Sequence, residues 1–155
     1  VGQLAETKVT LDHFTEGLGQ LVVAEMLRSG VFDEHLRKLR VEHHRRRDTL
    51  VAALRREVPP RALEFSVPGG GLYLWCRLAP HLQSAALLRA ALAAGVVFAS
   101  GELFYPDASG GRELRLCYSA LPVDKIEEGV RRLARSLESA ELRRPAPLRQ
   151  TVPMV

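Results

Sequence analysis

Residues 68–78 read PGGGLYLWCRL, and the period of this stretch decides the fold. Leu72, Leu74, Cys76 and Leu78 alternate with Tyr73, Trp75 and Arg77. A period of two sends successive side chains to opposite sides of an extended chain, so the stretch reads as a strand. Gly69, Gly70 and Gly71 form the turn that leads in, where a positive φ is needed. A phosphate loop would deliver its glycines into a helix N-terminus, with Lys and Ser/Thr beside them. Here the glycines open into a strand and no lysine follows.

Upstream the period changes to that of a helix. Phe14, Leu18, Leu21, Val22 and Met26 recur at helical spacing over residues 12–29, and Gly30 suits the C-cap. A longer helix is expected over residues 33–57, with Asp33 as N-cap and Leu36, Leu39, Leu50, Val51 and Leu54 as its apolar positions. Pro59 and Pro60 end it.

Downstream, residues 84–94 read as a short helix with Ser84 as cap and Gly95 as its close. Val96, Val97 and Phe98 read as a short strand, and a loop holding Gly101, Pro106, Gly110 and Gly111 follows. Residues 113–119, ELRLCYS, form another strand. A last helix begins near Pro122, with Ile126, Val130, Leu133 and Leu137 on one face. The proline-rich tail RRPAPLRQTVPMV has no period and is expected to be flexible. Helices this amphipathic must cover one face of a small sheet. The expected class is α/β, as an α+β two-layer sandwich with a mainly antiparallel sheet preceded by a long helical segment. Its expected parts are a helical segment 1–32, a small domain 33–142 and a flexible tail 143–155.

Composition narrows the function classes. With 46% hydrophobic and 26% charged residues, the chain has the balance of an ordinary globular domain. No apolar run approaches the roughly 20 residues that span a bilayer. The first residues, VGQLAETK, lack the regions of a secretion signal, and Val1 is not expected to be a native N-terminus. Cys76 and Cys117 sit in apolar runs, where a free buried thiol is expected, and a cytoplasmic location fits. The net charge of +4 is too modest to argue for nucleic acid by itself.

Several chemistries can be weighed against plainer readings. His43 and His44 are adjacent on a helix and point different ways, with no ligand spacing completed, so no metal site is assigned. The thiols have no context that would activate a nucleophile, and no G-x-S-x-G elbow is present. The basic stretch Arg37, Lys38, Arg40, Arg45, Arg46 and Arg47 could bind phosphates, but Glu42 and Asp48 interrupt it, so a solvated helix face is preferred. Arg115 stands inside the apolar strand Leu114-Arg115-Leu116-Cys117-Tyr118. A guanidinium there needs a partner. It could pair with a neighbouring acid or face water at an edge, or its planar fork could take a carboxylate bidentately.

Four segments together resemble the C-terminal part of fold-type I aminotransferases, across nearly all of residues 1–142. DEHLRKLRVEHHRRRDTLVAAL resembles the long helix after the cofactor domain, and PGGGLYLWCRL the Gly-Gly and Trp strand. AGVVFASGELFY resembles the Gly-Val…Gly-x-x-Phe segment, and ELRLCYSALPVDKIEEGVRRLARSL the closing strand, turn and helix. The resemblance runs to aminoadipate- and aromatic-type aminotransferases, and to GntR/MocR-type regulators, where such a domain is fused to a winged helix.

The resemblance implies that Arg115 binds the α-carboxylate of an amino-acid or 2-oxo-acid substrate. It implies no catalytic and no cofactor-binding residue within this chain. In the family a lysine forms the Schiff base with pyridoxal phosphate, and that lysine lies upstream of the matching region. Lys8, Lys38 and Lys125 do not match it. The chain alone is therefore expected neither to bind the cofactor covalently nor to transaminate. A longer parent would add the cofactor-binding domain and act as a homodimer, with nucleic acid only through a possible upstream winged helix and no membrane contact. The loop around Ser100, Gly101 and Phe104 would lie near the site entrance. Ala99-Ser100-Gly101 departs from the family's proline before the glycine, and no catalytic role is placed there. A stand-alone interaction module using the basic helix 33–57 is the remaining alternative.

Overall fold

A computed structural model describes residues 2–11, 16–107 and 109–142. The elements run α1 (Gly2–Leu11), α2 (Gly17–Arg28), α3 (Val31–Glu57), β1 (Leu63–Phe65), β2 (Tyr73–Leu78), α4 (Ser84–Ala93), β3 (Ala99–Ser100), a 3-10 turn (Gly101–Phe104), β4 (Glu113–Cys117) and α5 (Val123–Leu142). They fall into two units, Val1–Val41 and Glu42–Val155, with the division inside α3. The tail 143–155 and the start of the helix expected from residue 12 lie outside the described residues.

In the first unit α1 and α2 bury no residue. Leu18 and Leu21 of α2 are both at least 70% exposed, so these helices present apolar side chains without a core of their own. Gly30, at φ 77°, turns the chain from α2 into α3 as expected. The helix starts at Val31, so Asp33 lies in its first turn and is not the cap.

The second unit is the expected two-layer sandwich. Its four strands pair antiparallel throughout, in the order β1-β2-β4-β3. Alternation on β2 buries Leu74, Cys76 and Leu78 and leaves Tyr73, Trp75 and Arg77 outward. On β4 the buried partners are Leu114 and Leu116. Leu50, Val51 and Leu54 of α3, Leu87 and Ala91 of α4, and Ile126, Val130, Leu133 and Leu137 of α5 join them in one core. Within this unit the described helices thus pack on one face of the sheet.

Three readings need correction. β3 is Ala99–Ser100 and not residues 96–98. Phe98 is buried in the core, but only the next two residues meet β4, Ala99 opposite Arg115 and Ser100 opposite Leu114. Ser84 does not cap α4: Gln83 holds the N-cap position, and the Ser84 hydroxyl is buried 2.6 Å from the Ser100 hydroxyl. Cys117 is exposed, because β4 alternation puts it on the uncovered face, whereas Cys76 is buried as expected. No described helix is long and apolar enough to cross a membrane.

Candidate functional site

The uncovered face of the sheet gathers the chemistry. β2 contributes Tyr73, Trp75 and Arg77, and β4 contributes Glu113, Arg115 and Cys117. The register sets Tyr73 opposite Cys117, Trp75 opposite Arg115 and Arg77 opposite Glu113. After β3 the chain makes the 3-10 turn that carries Phe104, followed by Tyr105. This turn is pressed against the loop before β4. A Cβ on Gly101 would stand 2.5 Å from the Gly110 carbonyl oxygen and 2.6 Å from the Glu113 Cβ, so glycine is required for the close approach.

Arg115 lies on an interior strand and is half-buried. Its guanidinium carbon sits 3.9 Å from the centroid of Tyr73 and 4.7 Å from that of Phe104. The rings cover its flat surface through cation–π contact. Among the described residues no carboxylate pairs with it and no side chain or carbonyl accepts its N–H groups. The strand is not an edge, and among the described residues no acid pairs with the guanidinium, which lies on the open face of the sheet. The fork's N–H edge has no hydrogen-bond acceptor among the described residues, and a planar fork of this kind can take a carboxylate bidentately.

The acid nearest along the strand is otherwise engaged. Glu113 Oε1 accepts from Arg77 Nη2 at 2.9 Å, and Oε2 accepts from the Tyr105 hydroxyl at 2.6 Å and the Trp75 indole N–H at 3.2 Å. The Tyr105 bond, then the Arg77 bond, hold the Glu113 carboxyl below its ordinary value despite burial. The same bonds raise Tyr105 and Arg77 above theirs. Trp75 meets the edge of Phe104 at 5.2 Å, with the rings 75° apart. Burial raises the Cys117 thiol, but hydrogen bonds from Ser119 and the Ala120 backbone outweigh it, so its pKa lies below the ordinary value.

The strand ends are tied to α3. Arg47 donates to the Pro68 carbonyl at 3.0 Å, and Arg46 donates to the Ser119 carbonyl. This corrects the solvated-face reading at those two positions: both are half-buried and hold the loops that enter β2 and leave β4. Arg45 stays exposed and pairs with Glu42. Gly71, at φ 96°, supplies the turn expected before β2.

Of the residues singled out from sequence, Arg115, Tyr73, Trp75 and Phe104 come together here. Glu113, Tyr105 and Arg77 were not singled out. The strand alternation of Glu113 and Arg77 gave their side of the sheet, whereas their pairing across β2 and β4 is seen only in the register. Among the described residues of the second unit the one lysine, Lys125, is on α5, which packs on the other side of the sheet. No cluster of three or more His, Cys, Asp or Glu that could hold a metal occurs among the described residues. An open groove of about 790 Å³ lies elsewhere, between α4 and α5, lined in part by His81, Arg89 and Arg135.

Comparison with known proteins identifies the family of this chain. The family model for aminotransferase class I and II matches residues 8–133. The 2-aminoadipate transaminase of Thermus thermophilus is 36% identical over 136 residues, which is 88% of this chain and 34% of that protein. The crystal structure of LysN, an alpha-aminoadipate aminotransferase from Thermus thermophilus complexed with N-(5'-phosphopyridoxyl)-L-leucine, superimposes with a TM-score of 0.82 at 35% identity. It is matched over 91% of this chain and 36% of that one. The HTH-type transcriptional regulator YdfD of Bacillus subtilis is 25% identical over 84% of this chain and 26% of its own length. The chain thus spans about a third, or less, of the curated relatives it matches. With four fifths of its length under the family model and the transaminase relative alongside, the chain belongs to the aminotransferase class I and II family.

Proposed function

We propose that this chain is the small, C-terminal domain of a pyridoxal-phosphate-dependent aminotransferase, and that Arg115 binds the α-carboxylate of the amino-acid or 2-oxo-acid substrate. One observation carries the reading. Arg115 is a half-buried guanidinium without an ion-pair partner among the described residues, in contact with the rings of Tyr73 and Phe104 and with no acceptor for its donors there. A carboxylate meets such a fork through two parallel charge-assisted bonds.

In the family, pyridoxal phosphate supplies the electron sink for chemistry at the amino acid's α-carbon. Neither β2, β4 nor the 3-10 turn carries a lysine for the cofactor aldehyde. The chain's own contribution is therefore binding and orientation: Arg115 fixes one end of the substrate, and the aromatic rings keep water from the guanidinium faces. The cofactor site would belong to the part of the relatives that this chain does not match, and the chain alone would not transaminate. The exposed apolar residues of α2 fit a surface that such a part would cover. The longer protein would act as a cytoplasmic homodimer on amino acids.

The test is Arg115→Ala in that longer protein. Each hydrogen bond to a charged group contributes about 1.5–3 kcal/mol, so kcat/KM for the amino acid should fall by roughly a hundredfold or more. Arg115→Lys should recover only part, because an ammonium lacks the fork. Unchanged turnover overturns the assignment. The likeness to YdfD supports a second reading, in which the same site senses an amino acid for a GntR/MocR-type regulator. In that case the amino acid would alter DNA binding without being consumed, and Arg115→Ala would abolish the response.

A further inference from the structure

We propose that Glu113 is a positioning residue for Arg115: its carboxylate fastens the turn carrying Phe104, so that the Phe104 ring lies on the guanidinium and aims the free N–H edge at the incoming carboxylate. The proposal rests on the reading of Arg115 as a carboxylate-binding residue.

An arginine without a polar partner has several free torsions, and its fork is fixed only by what touches its faces. Tyr73 is on β2 and is held by the sheet ladder. Phe104 is not on a strand. It ends the short 3-10 turn, which leaves the sheet after Ser100. Two kinds of contact tie that turn back. The backbone of Gly101 packs on Gly110, whose carbonyl accepts from the Glu113 N–H at 3.0 Å. The side-chain hydrogen bond from the turn's end goes to Glu113, which takes Tyr105 and, from β2, Trp75 on the same oxygen. Trp75 in turn meets the Phe104 ring at 5.2 Å.

The arrangement also explains a missing ion pair. Glu113 and Arg115 point to the same face of one strand, two residues apart, within reach of each other's side chains. Arg77, opposite Glu113 on β2, takes the second oxygen at 2.9 Å. With Arg77, Tyr105 and Trp75 all donating to it, Glu113 turns away from Arg115. A carboxylate this close would otherwise occupy the fork and compete with the substrate.

The experiment is nitrogen-15 NMR of this chain, following the Arg115 Nε–H resonance assigned with Arg115→Lys. In the wild type the resonance should be displaced by the ring currents of Tyr73 and Phe104. It should move saturably when pyruvate, a simple 2-oxo acid, is added. In Glu113→Ala the ring displacement should largely vanish and pyruvate affinity should fall about tenfold, the scale of a modest misplacement of a binding group. Glu113→Gln keeps an acceptor for Tyr105 and Trp75 and should stay within about threefold of wild type. Tyr105→Phe leaves the Arg77 pair intact and should shift the resonance part of the way, which keeps the test open if Glu113→Ala does not fold. A ring-shifted signal and wild-type affinity in folded Glu113→Ala and in Tyr105→Phe would overturn the proposal. If pyruvate leaves the wild-type resonance unmoved while Glu113→Ala displaces it, the carboxylate reading of Arg115 fails, and the positioning role of Glu113 fails with it.

Discussion

The two faces of the sheet are built from the same strands and the same hydrogen-bond ladder, yet they do opposite work. The covered face carries Leu74, Cys76, Leu78, Leu114 and Leu116 against three helices. The open face carries Tyr73, Trp75, Arg77, Glu113, Arg115 and Cys117. Adjacent residues such as Leu114 and Arg115 thus belong to different problems. Burial of apolar area on one side stabilises the fold. That stability lets the other side hold an unpaired cation in fixed geometry. The difference teaches that stability and binding can be altered separately, although the residues alternate along one strand.

The sharpest way to break the comparison is a core truncation. Leu114 is fully buried, and Leu114→Ala should cost about 2–5 kcal/mol, read by urea denaturation. Arg115→Ala, one residue away, should change the denaturation midpoint far less, while on the proposed reading it should abolish carboxylate binding. Equal losses from both would erase the distinction. A smaller effect is expected where the faces meet. Gly101→Ala forces the 3-10 turn away from Gly110 and Glu113, at a cost of about 1–3 kcal/mol, and it should also disturb the Phe104 contact with Arg115.

The smallest effect sharpens the comparison through the two thiols. Burial pushes the Cys76 thiol up to about 12, while Cys117 lies below its ordinary value. Ellman's reagent should label Cys117 in the folded chain near neutral pH and reach Cys76 only after unfolding. The sign of the pH effect follows. A thiol whose folded pKa is raised favours the folded state fully below the ordinary value of 9.0, and that contribution is lost as pH rises toward about 12. Cys76→Ala should therefore soften alkaline destabilisation, and Cys117→Ala should not.

Much of this division could be read from the sequence. The alternation through Leu74, Cys76 and Leu78 marked β2, and the same period marked β4 with Arg115 as its odd charge. The helical spacing of Ile126, Val130, Leu133 and Leu137 marked α5. What escaped was decided by distant partners. β1 is only three residues long and has too few positions to show a period. The 3-10 turn depends on the approach of Gly101 to Gly110, which no local propensity encodes. Glu113 meets Trp75 and Arg77 across 38 and 36 residues, so its strand pattern gave its side of the sheet but not its partners. Arg46 and Arg47 looked like solvated charges because the carbonyls that accept from them belong to loops 73 and 21 residues away. Ser84 had the chemistry of a helix cap, yet its hydroxyl is hydrogen-bonded to the buried Ser100 hydroxyl of β3 instead.

The chain holds a single tryptophan, and it stands on the open face between Phe104 and Glu113. All of the chain's indole fluorescence therefore originates at the candidate site, and none of it from the core. Emission colour and quenching become a direct optical record of how wet that face is and whether a ligand has settled there. Far-ultraviolet circular dichroism records the helices separately. The molecule thus carries its own probe for telling an emptied or loosened site from an unfolded chain, with no dye attached.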